Sequence, residues 1–204
     1  MGRAEATAHT AGPEIGVVPD LDNAQLGMWS WLGAESVFFA SLIGTFVVER
    51  GNLNGGPNLK QLIDLQLTFI GTTVLLTSSL TMALAFAEVQ RGRLGAFRVW
   101  LIITVLLGLG FLGFQAVEFT GFYGHHFTYQ TSPLSSAFFT LTGFHGMHVF
   151  FGAFWLVSLL VYSFNSHFDV ERVTKVRSAS LYWHFVDVVW VIIFSLVYLL
   201  GKVG

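Results

Sequence analysis

The chain of 204 residues contains no cysteine, and only 11% of it is charged. The missing thiols exclude disulfides, Cys-ligated zinc, iron–sulfur clusters, covalent c-type haem attachment and thiol chemistry, which leaves any metal to His or carboxylate ligands. Charge of either sign is scarce: Lys and Arg total 10 and Asp and Glu 12, a formal net charge of -2. No basic field is available to attract nucleic acid, and no acidic tail suggests a cationic partner. A nucleophile elbow, a phosphate-binding loop and a His-Glu-x-x-His zinc pattern are also missing. No internal repeat is evident, which argues against the inverted-repeat transporters.

What the chain has instead is apolar mass, 53% hydrophobic residues and 16% aromatic. That is too apolar for an ordinary water-soluble domain, and the length suits about five helices that cross a bilayer at roughly 20 residues each. Five apolar stretches occupy residues 27–48, 67–87, 99–117, 136–162 and 180–200. They are apolar nearly all round, whereas a buried helix of a soluble bundle keeps a polar face. The expected fold class is all-α, an integral membrane bundle of five transmembrane helices within residues 25–204. Residues 1–24, with Pro13, Pro19, Glu5, Glu14, Asp20 and Asp22 and no apolar periodicity, read as a flexible tail. No basic start runs directly into an apolar core there, so the first span is expected to be retained.

Lys and Arg set the expected orientation. One side collects Arg3, Arg91, Arg93, Arg98, Arg172, Lys175 and Arg177, and the other Arg50, Lys60 and Lys202. The N-terminus is therefore expected in the cytoplasm and the C-terminus outside, with the connections 51–59 and 119–133 as outward loops. Trp29, Trp31, Trp100 and Trp183 near span ends fit an interfacial aromatic belt.

An ionised group at the bilayer centre costs at least about 2.5–3.5 kcal/mol, so each acid inside a span is a functional candidate. Glu35 lies on the order of 12 Å from the cytoplasmic end of its span. At that depth it must keep its proton or find a cation or donors, and it can store a proton, bond a lipid headgroup or simply bond a neighbouring helix. His145 and His148 stand about one helical turn apart beside Gly143 and Gly146, which permit close helix approach. Such a pair can ligate haem or copper, or can hydrogen-bond between helices. His184 and Asp187, i and i+3, can meet on one face and relieve each other's desolvation, for structure or for proton transfer. Glu35, His148, His184 and Asp187 fall at similar depth and are expected to form one polar cluster. Gln115 and Glu118 near the outer end of the third span are expected to be wetted, Glu88 with Arg91 to be a solvated pair, and His125-His126 to lie in a wet loop. Composition and spacing stop there.

The run from Phe138 to Val149, with Gly143, His145, Gly146 and His148, followed by Leu181 to Trp190, with Trp183, His184 and Asp187, strongly resembles subunit III of the heme–copper terminal oxidases, the cytochrome c oxidase subunit III family. The resemblance extends in order through Gly33–Phe39, Leu75–Ser79 and Gln115–Glu118, in the short five-span bacterial form. It implies a subunit with no redox centre or metal of its own, haem and copper being held by partner subunits. It also implies packing beside the catalytic subunit I, with subunit II and smaller subunits in the same complex, phospholipid binding, and support of proton uptake during oxygen reduction to water. By position, Glu35 matches the family's buried carbodiimide-reactive glutamate. Glu35, His148 and Trp183 match lipid-facing positions, and His145, His148, His184 and Asp187 match a polar cluster between the last two helices. Two positions depart from the family pattern: Tyr162 stands where many members have a lipid-binding Arg, and Val48 where longer members have a His. Two further readings stay open, subunit III of a quinol oxidase or an accessory protein of a nitric oxide reductase. A reading of another class is a haem-bearing anchor using His145, His148 and His184.

Overall fold

The computed structural model describes residues 23–51, 65–124, 128–165 and 170–199. They form five helices: α1 Asn23–Gly51, α2 Leu65–Gln90, α3 Leu94–Gly124, α4 Pro133–Asn165 and α5 Val170–Ile193, the last continued by a π-helical turn over Phe194–Leu199. All five are long and apolar enough to cross a membrane, and no strand occurs among the described residues. The expected all-α bundle of five spans is present. The tail 1–22, residues 52–64 with Lys60, His125-His126 and Lys202 lie outside the described residues, while Asn23 and Ala24 already belong to α1.

Each helix outruns, at one end or both, the apolar stretch that marks it, because hydropathy measures lipid contact and helical hydrogen bonding continues through the polar ends. The expected loop 119–133 begins as helix, since α3 persists to Gly124. Helix α5 starts near Val170, ten residues before its apolar run, and carries Lys175 and Arg177 on its leading turns. The Lys175 ammonium sits 4.9 Å over the Tyr162 ring.

Local chemistry sets the ends. Gly92, at φ 74°, closes α2: its amide bonds the Val89 carbonyl at 3.1 Å and the Arg93 amide bonds the Glu88 carbonyl at 3.0 Å. This Schellman arrangement turns the chain within a few residues and makes α2 and α3 an antiparallel pair with extensive contact. Pro133 opens α4 behind Ser132, whose Oγ accepts from the Ser135 amide at 3.1 Å while Ser135 Oγ accepts from the Ser132 amide at 2.8 Å. Arg98 of α3 donates to the Ser163 carbonyl at 2.6 Å and supplies a partner for the carbonyl-rich end of α4.

Helix α5 is the axis of the bundle, touching α1, α2 and α4, with 56% of its apolar window buried against 17% for α1. Its Trp183 is fully buried. The indole fills a slot between Gly108 of α3 and Gly152 of α4 and donates Nε1–H to Ser78 Oγ of α2 at 3.0 Å. About two turns later Trp190 donates to Thr72 Oγ1 at 3.0 Å. A Cβ at position 108 would stand 2.6 Å from Trp183 Cη2, so only glycine admits the ring. Gly108→Ala should therefore lower bundle stability by about 1–3 kcal/mol, visible as a lower thermal midpoint of the purified complex. Gly113→Ala, where a Cβ meets nothing, should not.

Candidate functional site

Glu35 projects from α1 toward His148 of α4, with Glu35 Oε2 and His148 Nε2 3.2 Å apart. The other ring nitrogen, Nδ1, lies 2.7 Å from the Phe144 carbonyl one turn earlier. A carbonyl oxygen only accepts, so Nδ1 carries a hydrogen and the tautomer is set. Nε2 and the carboxyl then share a single proton: neutral acid with neutral imidazole, or carboxylate with imidazolium. Both forms are neutral as a pair, which lowers the cost of keeping them in an apolar layer. The Tyr182 hydroxyl of α5 donates to the His148 carbonyl at 2.9 Å, and Phe39 meets the His148 ring edge-on at 5.0 Å. Three helices thus hold His148, α1 and α4 through its ring and α5 through its backbone carbonyl. The pair is at the rim of the bundle, the side chains 13% and 21% exposed, so its outer edge is open to whatever covers the α1–α4 seam.

The other expected members are placed separately. His145 is fully buried, stacked on Trp190 at 4.8 Å and met edge-on by Phe111 at 5.9 Å, with neither ring nitrogen hydrogen-bonded. His184 Nδ1 bonds Ser79 Oγ of α2 at 2.7 Å. Asp187 is 3% exposed and neither carboxyl oxygen makes a well-formed hydrogen bond, although Ser79 lies beside it. The expected His184–Asp187 bond therefore gives way to His184–Ser79. A single cluster of Glu35, His148, His184 and Asp187 does not form; α5 turns His184 toward α2 while Glu35 and His148 meet on the α1–α4 seam. Trp183 is a second correction: it is neither lipid-facing nor interfacial, because the glycines of α3 and α4 draw the whole indole inside.

Two further expectations change. Glu118 is not wetted: it is 8% exposed, its Oε1 accepting from Thr68 at 2.9 Å and its Oε2 from Tyr198 at 3.1 Å. Tyr198 reaches it from the π-helical turn, whose extra residue per turn re-aims the side chain inward. Gln115 is 8% exposed and donates Nε2–H to the Thr142 carbonyl of α4 at 2.7 Å. At the opposite end Glu88 is 7% exposed and binds both Arg91, at 3.0 Å, and Arg93, at 2.6 Å, so it is a buried carboxylate inside a two-arginine clamp. Sequence reasoning missed Ser79, Thr68 and Tyr198 as partners. The signal for Ser79 was its place in the motif 75–79, and for Thr68 a lone hydroxyl among apolar neighbours.

Among the described residues no three His, Asp or Glu side chains converge in a way that could hold a metal ion. What the arrangement offers is proton sharing at Glu35–His148 and hydrogen bonding between helices elsewhere. A multi-pass membrane protein whose few ionisable groups are turned between its helices is the class these features define. The family model described as Cytochrome c oxidase subunit III matches residues 18–202, and the chain belongs to that family of heme–copper oxidase subunits. It is 44% identical over 202 residues to cytochrome c oxidase subunit 3 of Bacillus sp. (strain PS3), covering 97% of each chain. It is 41% identical over 179 residues to quinol oxidase subunit 3 of Bacillus subtilis (strain 168), covering 88% of each. With cytochrome bo(3) ubiquinol oxidase subunit 3 of Pseudomonas aeruginosa it shares 35% over 197 residues, 96% of this chain and 94% of the relative. The chain is a multi-pass protein of a bacterial membrane.

Because Ser79 and not Asp187 holds His184, Ser79→Ala should cost the bundle about 1 kcal/mol. Denaturation of the purified complex followed by Trp fluorescence checks this, with Ser41→Ala, on an exposed face of α1, as the reference.

Proposed function

We propose that this chain is the non-catalytic subunit III of an aerobic cytochrome c oxidase, packed beside subunit I, where it supports sustained proton uptake as oxygen is reduced to water. The observation that carries the proposal is the Glu35–His148 pair: one proton between a carboxyl and an imidazole whose tautomer is already set. Holding one proton, the pair is neutral in the apolar layer; releasing that proton leaves one negative charge on the carboxylate, and taking up a second leaves one positive charge on the imidazolium. It is a proton reservoir at the edge of a bundle, suited to serve a neighbouring subunit. Haem and copper belong to the partner subunits in this reading.

The distribution of lysines and arginines favours an N-terminus in the cytoplasm. With that orientation Glu88, Arg91, Arg93, Arg98, Ser163 and Lys175 gather at the cytoplasmic end of the bundle, and Glu118, Thr68 and Tyr198 toward the outer end. Phospholipid is assigned to the α1–α4 seam. There a groove of about 300 Å³ lined by Leu42, Thr45, Glu49, Pro133, Ser136, Ala137 and Thr140 continues the face that carries Glu35 and His148.

A haem anchor is disfavoured by the donor set. His148 has both ring nitrogens engaged, His145 is packed against three aromatic rings, and His184 faces another helix. A quinol as electron donor is the second reading, favoured by the relatives named quinol oxidase subunit 3. Co-purification decides: a copper-bearing subunit II in the isolated complex supports cytochrome c, and a subunit II lacking copper overturns that choice.

Glu35→Ala in the intact complex should leave assembly and initial turnover near wild type and shorten the number of turnovers before inactivation several-fold. Glu35→Gln, which keeps the hydrogen bond but not the transferable proton, should behave alike. A complex that fails to assemble would mark the carboxyl as a structural contact. Unchanged durability and proton uptake in both variants would remove the proton role.

A further inference from the structure

At the end of the bundle away from the Glu88 clamp, the groove between α1 and α4 has Leu42, Thr45 and Glu49 on one side and Pro133, Ser136, Ala137 and Thr140 on the other. Those spacings place each set on one helix face, and seven residues of helical rise make the groove about 10 Å long. Glu49 stands at its mouth, half-buried in the last turn of α1, and among the described residues its carboxylate has no ion pair or hydrogen bond. Leu42 lies two turns further in. One turn beyond Leu42 and Thr140, Phe38 and Phe144 meet edge-on at 5.2 Å. The seam therefore runs from a charged mouth to an apolar floor before the Glu35–His148 pair is reached.

The wall is poor in donors. The Thr45 hydroxyl donates to the Ser41 carbonyl at 2.9 Å, Thr140 to the Ser136 carbonyl at 2.7 Å, and Ser136 to the Tyr129 carbonyl. With their hydrogens committed, these three oxygens can only accept, and the Glu49 carboxylate can only accept as well. Leu42, Ala137 and Pro133 have no side-chain donor. Glu49 also sits at the negative end of the α1 dipole, which adds to the demand for a cation. A molecule that suits this groove brings positive charge and N–H donors to the mouth and an apolar body to the floor.

We infer that the groove selects an amphiphile with a primary ammonium head, an aminophospholipid, whose ammonium donates to the Glu49 carboxylate while its acyl chains run past Leu42 onto Phe38 and Phe144. The inference rests on the assignment of phospholipid to this seam and names the headgroup. A purely anionic headgroup meets the Glu49 charge with no cation to offset it. A choline head carries the cation but has no N–H for a wall made of acceptors. Glu49 thereby acts as the specificity residue of the seam, and the lipid it holds bridges the two helices that carry Glu35 and His148.

The test uses the whole oxidase complex, exchanged into nanodiscs of equal parts phosphatidylethanolamine, phosphatidylcholine and phosphatidylglycerol and then analysed for retained lipid by mass spectrometry. The wild-type complex should retain more phosphatidylethanolamine than the Glu49→Gln complex, a comparison that cancels lipid held by other subunits. In the variant, which keeps the size of the side chain and removes its charge, the preference over the two competitors should fall several-fold. Glu35→Gln should keep the wild-type preference. Density in the groove should place the headgroup nitrogen about 2.7–2.9 Å from a Glu49 oxygen. The same retained lipids in wild type and Glu49→Gln would overturn the inference, and acyl density still present in the groove would leave the lipid assignment of the seam standing. A groove without lipid, or one filled by a basic side chain of another subunit, would overturn both.

Discussion

The insertion of Trp183 into the Gly108–Gly152 slot is the contact on which the rest of the bundle depends. In lipid there is no hydrophobic drive to bring helices together, so association rests on close packing and on hydrogen bonds made between them. Trp183 supplies both at one point: its ring lies against glycine backbone on α3 and α4, and its N–H finds Ser78 on α2. Four helices are registered by one side chain. Tyr182, the preceding residue, points toward α4 and bonds the His148 carbonyl, so the same turn of α5 that locks the core also steadies the imidazole facing Glu35.

The polar groups follow one rule and break it at two residues. Glu35, Glu88 and Glu118 each meet hydrogen-bonding partners from the chain, and their placement at seams or helix ends matches the cost of stranding them in hydrocarbon. His145 and Asp187 are the exceptions, buried without a hydrogen-bonded partner near the bundle axis. His145 is compensated in part by stacking on Trp190. Asp187 has no comparable compensation beyond its neighbour Ser79.

The five helices are legible from the sequence because a run of some twenty apolar residues is long enough to cross a bilayer and too uniform to wrap a soluble core. Glu35 stands out as an acid in such a run, and its depth matches that of His148, the residue it meets. Which face of each helix turns inward is not legible, because a span that is apolar on every side carries no phase, and placing Trp183 or His184 needs the partner helix. Trp183 therefore reads as an interfacial residue, and spacing matches His184 with Asp187 when Ser79, 105 positions away, is its partner. Glu118 reads as wetted because nearness to a helix end suggests exposure. The π-helical turn that brings Tyr198 over it has no sequence signature.

Helix α1 carries the acid of the Glu35–His148 pair, yet it is the least embedded of the five, resting on α4 and α5 by one side. Its hold on the bundle is correspondingly sensitive to whatever replaces lipid around it. In a detergent micelle, whose molecules wedge between loosely mated helices, the seam between α1 and α4 parts before the α2–α3 hairpin or the tryptophan-locked core is disturbed. Solubilised preparations can thus retain a folded, co-purifying polypeptide in which the carboxyl and the imidazole no longer meet, and the choice of detergent becomes a variable of proton chemistry as well as of yield.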